Sequence, residues 1–214
     1  MGCSRQLRPW RPPWWSTPVV ARMVLLRHGQ TEWTQSGQHT GRTDVPLLGE
    51  GESQAKAAGD FIRALGFTSF ALVLTSPLCR AADTCAVAGF DGQEDPDLME
   101  WDYGAYEGLT SAEIDEVHQG WSLWEDGVPD GERAADVGRR ADRVIDRARR
   151  CDGPVLCVAH GHLLRVLAAR WVGLPPVAGR FFLLWPGGVS VLGRERDFPV
   201  IQLWNQLPDA ASAG

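Results

Sequence analysis

The sequence predicts an α/β fold, a sandwich around a mostly parallel sheet, and three observations carry that prediction. Short continuous apolar runs at residues 24–27, 70–75 and 154–159 have the length and composition of internal strands in a parallel sheet. Stretches of helical spacing follow each of them. The resulting βαβα order favours an α/β sandwich over a helical bundle. At 214 residues the chain fits one domain with a sizeable core.

The first strand, residues 24–27, ends in His28-Gly29 and opens onto a polar, Gly-rich loop that runs through Gly51. Residues 52–65 place Ala55, Ala58, Phe61, Ile62 and Leu65 on one helical stripe, with Gly66 as terminator. The second strand, 70–75, stops at Ser76-Pro77, and residues 78–87 form the next helix. Residues 91–138 are rich in Gly, Asp and Trp with weak periodicity, and read as a lid-like insertion with one short helix at 112–118. A strongly charged helix over 136–150 should turn most of its arginines to solvent. The third strand, 154–159, ends in His160-Gly161 and feeds a helix over 163–172. Residues 189–192 and 200–204 read as closing strands of a hairpin. The expected catalytic domain is 23–207, between an N-terminal extension (1–22) and a tail (208–214), both expected to be disordered.

Composition narrows the function. A net charge of -6 and pI near 5.4 give no general footprint for nucleic acid or an anionic membrane, so any anion site must be local. Lys56 is the only lysine, which leaves arginine as the cation of that site. Five scattered cysteines, Cys3, Cys79, Cys85, Cys151 and Cys157, contain no CxxC pair and suggest neither a disulfide framework nor a zinc site. They fit a reducing cytoplasm. No run of eighteen apolar residues is present, and residues 1–22 mix Pro, Arg and Trp without the unbroken apolar stretch of a signal peptide. Gln6 stands where a myristoylation signal wants Ser or Thr. Met23, just before the first strand, is an alternative start of translation.

Two strands end alike, in Arg27-His28-Gly29 and Ala159-His160-Gly161. Ligands of open α/β sheets collect outside the carboxyl ends of strands, so both histidines should face one crevice. The glycine after each lets the backbone turn and brings its amide close to a ligand. Arg27, together with Arg80 at the next strand-to-helix junction, supplies guanidinium forks that match phosphate oxygens bidentately. Two arginines and two histidines at strand ends make a phosphate pocket. His118, in the polar middle section, reads as an exposed histidine.

With these residues in place, the chain resembles the histidine phosphatase, or phosphoglycerate-mutase-like, superfamily. The resemblance rests on Arg27-His28-Gly29-Gln30-Thr31-Glu32-Trp33, Thr40-Gly41-Arg42-Thr43-Asp44-Val45-Pro46-Leu47, Ser76-Pro77-Leu78-Cys79-Arg80-Ala81, Glu100-Trp101-Asp102-Tyr103-Gly104, and His160-Gly161 with Arg165. It implies a three-layer α/β/α sandwich with His28 as the nucleophile that becomes phosphohistidine. It further implies that Arg27, Arg80 and His160 hold the phosphoryl group and that Glu100 is the proton donor to the leaving alkoxide. Thr34, Thr40, Gly41, Tyr103 and Gly161 join Arg27 and Arg80 as expected substrate contacts, with His39, Glu32 and Trp33 near the mouth. No metal or other cofactor is expected, the partner is a small phosphorylated metabolite, and the oligomeric state stays open between monomer and homodimer.

The chemistry fits these roles. Phosphoryl transfer spreads charge over three equatorial oxygens, so positioning and positive charge are what the site must supply. An alkoxide is a poor leaving group, and burial beside Trp101 together with the substrate dianion favours the protonated acid at Glu100. An acidic to neutral pH optimum follows. The main alternative is a cofactor-dependent phosphoglycerate mutase. Its additional basic residues after the Glu-x-x-Tyr-Gly segment are missing here, and Thr34 replaces its asparagine, so the phosphatase reading is preferred. The substrate class it suggests is sugar phosphates and bisphosphates, with broad acid-phosphatase character. His160-Gly161-His162 also resembles an HxH metal motif, but no further ligands are arranged around it in the sequence. A noncatalytic phospholigand-binding role would suit a chain lacking His28 or Glu100, and both are present.

Overall fold

The computed structural model describes residues 22–208, so the expectations for the extension before Arg22 and for the tail beyond Pro208 lie outside the described residues. A six-stranded sheet in the order β3-β2-β4-β1-β5-β6 forms the middle layer. Its strands are β1 (Met23–Arg27), β2 (Leu72–Thr75), β3 (Gln93–Glu94), β4 (Val155–Ala159), β5 (Val189–Glu195) and β6 (Phe198–Gln206). β3, β2, β4 and β1 pair in parallel, whereas β5 and β6 close the sheet as an antiparallel hairpin against β1.

The pleat explains the three layers. Val24 and Leu26 of β1, with Leu156 and Val158 of β4, point to one face. There they meet Ala58 and Ile62 of α2 (Gly49–Ala64) and Cys85 of α3 (Cys79–Val87). Met23, Leu25, Val155, Cys157 and Ala159 point to the other face. That face is covered by Val137, Ala141, Val144 and Ile145 of α6 (Ala134–Arg149) and by Leu163, Leu164 and Leu167 of α7 (Gly161–Trp171). Strands buried on both faces read as unbroken apolar runs for this reason.

Several elements depart from the sequence reading. The loop after β1 contains a short helix, α1 (Glu32–Ser36), held by a capping box between Thr31 and Thr34. α2 then begins at Gly49, inside the stretch expected to be irregular. β3 was not anticipated. The middle section carries α4 (Ser111–Val117), with a Thr110/Glu113 capping box, and α5 (Leu123–Asp126). Leu98, Trp101, Tyr103, Leu123 and Val128 from this section pack into the core cluster of α6 and α7. On α6 itself, Arg139, Arg143 and Arg149 face solvent as expected, but Arg140 is buried.

Candidate active site

β1 and β4 are neighbours in register, Arg27 opposite Ala159, so the next residue of each strand, His28 and His160, falls at the same sheet edge. The rings lie 5.1 Å apart, and the His28 amide donates to the Ala159 carbonyl at 2.9 Å. His28 Nδ1 is 2.8 Å from the Gly29 carbonyl, an acceptor only, so Nδ1 carries the proton. Burial, then the nearby Arg27 and Arg80, push the His28 pKa well below the usual imidazole range. The ring is neutral, with a bare Nε2 lone pair. His160 has Nε2 2.8 Å from Ser76 Oγ. Its Nδ1 is buried with no partner, and burial followed by the charge of Arg80 lowers its pKa strongly.

The arginines show the same incompleteness. Arg80 is fully buried and donates to the carbonyls of Thr43 (2.9 Å), Thr40 (3.1 Å) and Gly41 (3.0 Å), yet its Nε has no partner. Arg27 donates from Nη1 to the Leu184 carbonyl at 2.5 Å, and its Nε is also orphaned. Desolvation lowers Arg27 to about 10, against the opposing pull of Glu100, so it remains charged at neutral pH. Among the described residues, neither of these arginines nor Arg165 takes part in an ion pair. Buried charges and buried donors left unpaired are costly. Two such donors, Arg27 Nε and Arg80 Nε, belong to residues whose charges both bear on His28, and His160 Nδ1 is a third buried polar atom there without a partner.

Glu100 is buried across the site. Its Oε1 accepts from the amides of Trp101 and Leu163, both at 2.9 Å, and its Oε2 from His162 at 3.0 Å. Three backbone amides thus fix the orientation of the Glu100 carboxyl group. Tyr103 Oη lies 2.5 Å from His162 Nδ1. Burial holds the phenol well above, and the imidazole well below, their ordinary ranges, so the phenol donates. His39 donates from Nδ1 to the Leu109 carbonyl at 2.8 Å and meets the edge of Tyr103 at 4.8 Å between centroids.

A cavity of about 470 Å³ opens over this floor, lined by Arg27, His28, Thr34, Thr40, Glu100, Tyr103 and Gly161 from the expected set. Trp33 and His39 line it too, whereas Glu32 is exposed outside it. Arg80 and His160 lie beneath the lining. Gly41 stands apart from the expectation of a direct contact: its amide donates to Glu107 Oε1 at 2.8 Å and its carbonyl accepts from Arg80. A Cβ there would sit 2.7 Å from the Trp101 carbonyl oxygen, so Gly41 lets the loop close on Arg80.

Sequence reasoning did not assign the roles of three neighbours. Ser76 was read as a strand stop and is the partner of His160. His162 was weighed as a metal ligand but belongs to the aromatic wall, and no group of three or more metal-ligating side chains is gathered among the described residues. Arg165, one turn along α7 from His160, stacks over Trp124 at 4.7 Å and lines the cavity.

Neutral histidines at adjacent strand ends, guanidiniums outside any ion pair and a buried carboxyl thus gather at one cavity floor. The chain belongs to the histidine phosphatase superfamily (branch 1), which matches residues 23–207. It is 40% identical over 177 residues to an acid phosphatase of Mycobacterium tuberculosis, covering 81% of this chain and 87% of the relative. It is 35% identical to the sedoheptulose 1,7-bisphosphatase of Saccharomyces cerevisiae, covering 73% of this chain and 69% of that protein. The solved structure of a Mycobacterium tuberculosis open reading frame superposes with a TM-score of 0.83 at 37% identity, covering 87% of this chain and 97% of that one.

Proposed function

We propose that the protein is a phosphoric monoester hydrolase that removes phosphate from a small metabolite, a sugar phosphate or bisphosphate, through phosphohistidine at His28. The observation that carries the reading is the pair of buried guanidinium N–H donors, Arg27 Nε and Arg80 Nε, left without partners beside a neutral imidazole. Donors of this kind suit the equatorial oxygens of a phosphoryl group in transfer. In this mechanism His28 Nε2 attacks phosphorus in line as the bond to the alcohol oxygen breaks, and Glu100 gives its proton to that oxygen. Water then attacks the phosphohistidine, losing a proton to the Glu100 carboxylate, and inorganic phosphate leaves.

The names of the acid phosphatase and bisphosphatase relatives support hydrolysis of small phosphorylated metabolites. Against a mutase, no basic side chain from the middle section reaches the cavity; Arg27 and Arg165 supply its lining cations. A cytoplasmic location is supported by Cys79, Cys85, Cys151 and Cys157 being free thiols. Among the described residues no helix is long and apolar enough to cross a membrane.

The test is release of inorganic phosphate from a panel of sugar phosphates, bisphosphates and phosphoglycerates, alongside acid-quench trapping of the phosphoenzyme. His28→Ala should abolish both. Turnover or a trapped phosphoenzyme surviving in His28→Ala would overturn the reading, and interconversion of phosphoglycerates without net release would establish the mutase instead.

A further inference from the structure

We propose that Arg140 and Glu132 are positioning residues for Glu100, a frame that holds the proton donor at the height the leaving oxygen requires. The inference rests on Glu100 acting as the acid. Arg140 projects from α6 into the core with 9% of its surface exposed. Its Nη1 donates to the carbonyls of Asp97 (2.9 Å) and Met99 (2.7 Å), and its Nη2 to that of Glu100 itself (3.3 Å). The remaining donors form a fork onto Glu132, Nε to Oε1 at 2.8 Å and Nη2 to Oε2 at 2.7 Å.

Glu132 completes the frame from the far side of the same segment. Its Oε2 also accepts from the Asp102 amide at 3.0 Å, its carbonyl from Trp101 Nε1 at 2.9 Å, and its own amide donates to the Asp102 carbonyl at 3.0 Å. The main chain on either side of Glu100 is thus pinned from 97 to 102 by one guanidinium and one carboxylate, while the Glu100 side chain is held from α7. Residues 97–102 have little regular structure of their own beyond a single 3-10 turn ending at Leu98. A segment of that kind takes its precision from its surroundings. A buried pair is weak evidence for stability, and a misplacement of a reacting group by about 1 Å costs up to about 10²-fold in rate.

A purely structural pair and a positioning pair differ in one measurable respect, dependence on the leaving group. A general acid accelerates departure of an alkoxide, whereas p-nitrophenolate leaves without a proton. The experiment therefore measures kcat/KM for β-glycerophosphate and for p-nitrophenyl phosphate and takes their ratio, which is independent of how much of a preparation is folded. Arg140→Lys keeps the charge but loses the planar fork, and Glu132→Gln keeps the shape but loses the charge. Each should lower the alkyl-to-aryl ratio by about 10- to 100-fold, in the same direction as Glu100→Gln. If Glu100→Gln lowers the ratio and both frame variants keep it within about twofold of wild type, the pair is structural and the inference falls. If Glu100→Gln itself leaves the ratio unmoved, the acid assignment fails and takes the inference with it.

Discussion

Stability should fall steeply on the acid side of neutrality, because three buried imidazoles must stay neutral for the site to exist. His28, His160 and His162 are each held well below the ordinary imidazole value of 6.5, with desolvation the largest cause. In the unfolded chain they take up protons below about pH 6.5, whereas in the folded protein they do not. Their contribution is therefore fully present above that pH and is lost as pH falls toward the folded values. Between about pH 7 and about pH 5.5 each histidine costs about 1.2 kcal/mol, and the three together about 4 kcal/mol. That is a large part of the roughly 5–15 kcal/mol that holds a domain folded. His39, lowered mainly by burial, acts in the same sense. Urea unfolding in phosphate-free buffer at the two pH values measures the difference directly. The His162→Gln variant should lose about a third of the pH dependence. A wild-type stability at pH 5.5 within about 1 kcal/mol of that at pH 7 would refute the assignment of neutral, proton-refusing histidines.

Three further outcomes follow from the same geometry. Orthovanadate or phosphate should raise Tm by satisfying the orphaned donors, by about 2.7 kcal/mol of stabilisation at 100 times Kd, and differential scanning fluorimetry on Arg80→Met should show the shift gone. Ser76→Ala should lower kcat by about 10-fold or more by releasing the ring of His160, with the pH profile of steady-state turnover keeping its shape. Gly41→Ala places a Cβ 2.6 Å from Glu107 Oε2 and 2.7 Å from the Trp101 carbonyl oxygen, so it should cost about 1–3 kcal/mol by chemical denaturation and weaken phosphate binding through Arg80.

The apolar runs made β1, β2 and β4 legible, because strands covered on both faces have nowhere to put a polar side chain. β3 is two exposed residues, Gln93 and Glu94, and offers no such run. α1 spans five residues with none buried, so its evidence is the Thr31 cap and not periodicity. His28, Arg27, Arg80, Glu100 and His160 were readable through local motifs, and the parallel register explains why two of them could be paired from strand endings alone. The roles of Ser76 and Arg165 and the orientation of His162 were not, since they depend on which ring or cavity wall lies opposite. Gly41 shows the converse: the motif was visible, but only the loop geometry reveals that its backbone serves Arg80.

Among the described strands β1 is the first to leave the ribosome, and its two neighbours in the sheet, β4 and β5, are made more than a hundred residues later. A nascent chain carrying His28, Arg80 and Glu100 still has no partner for the strand that bears the nucleophile. The centre of the sheet is thus filled late, and a chain truncated before β4 holds most of the reactive residues but no place for them to meet.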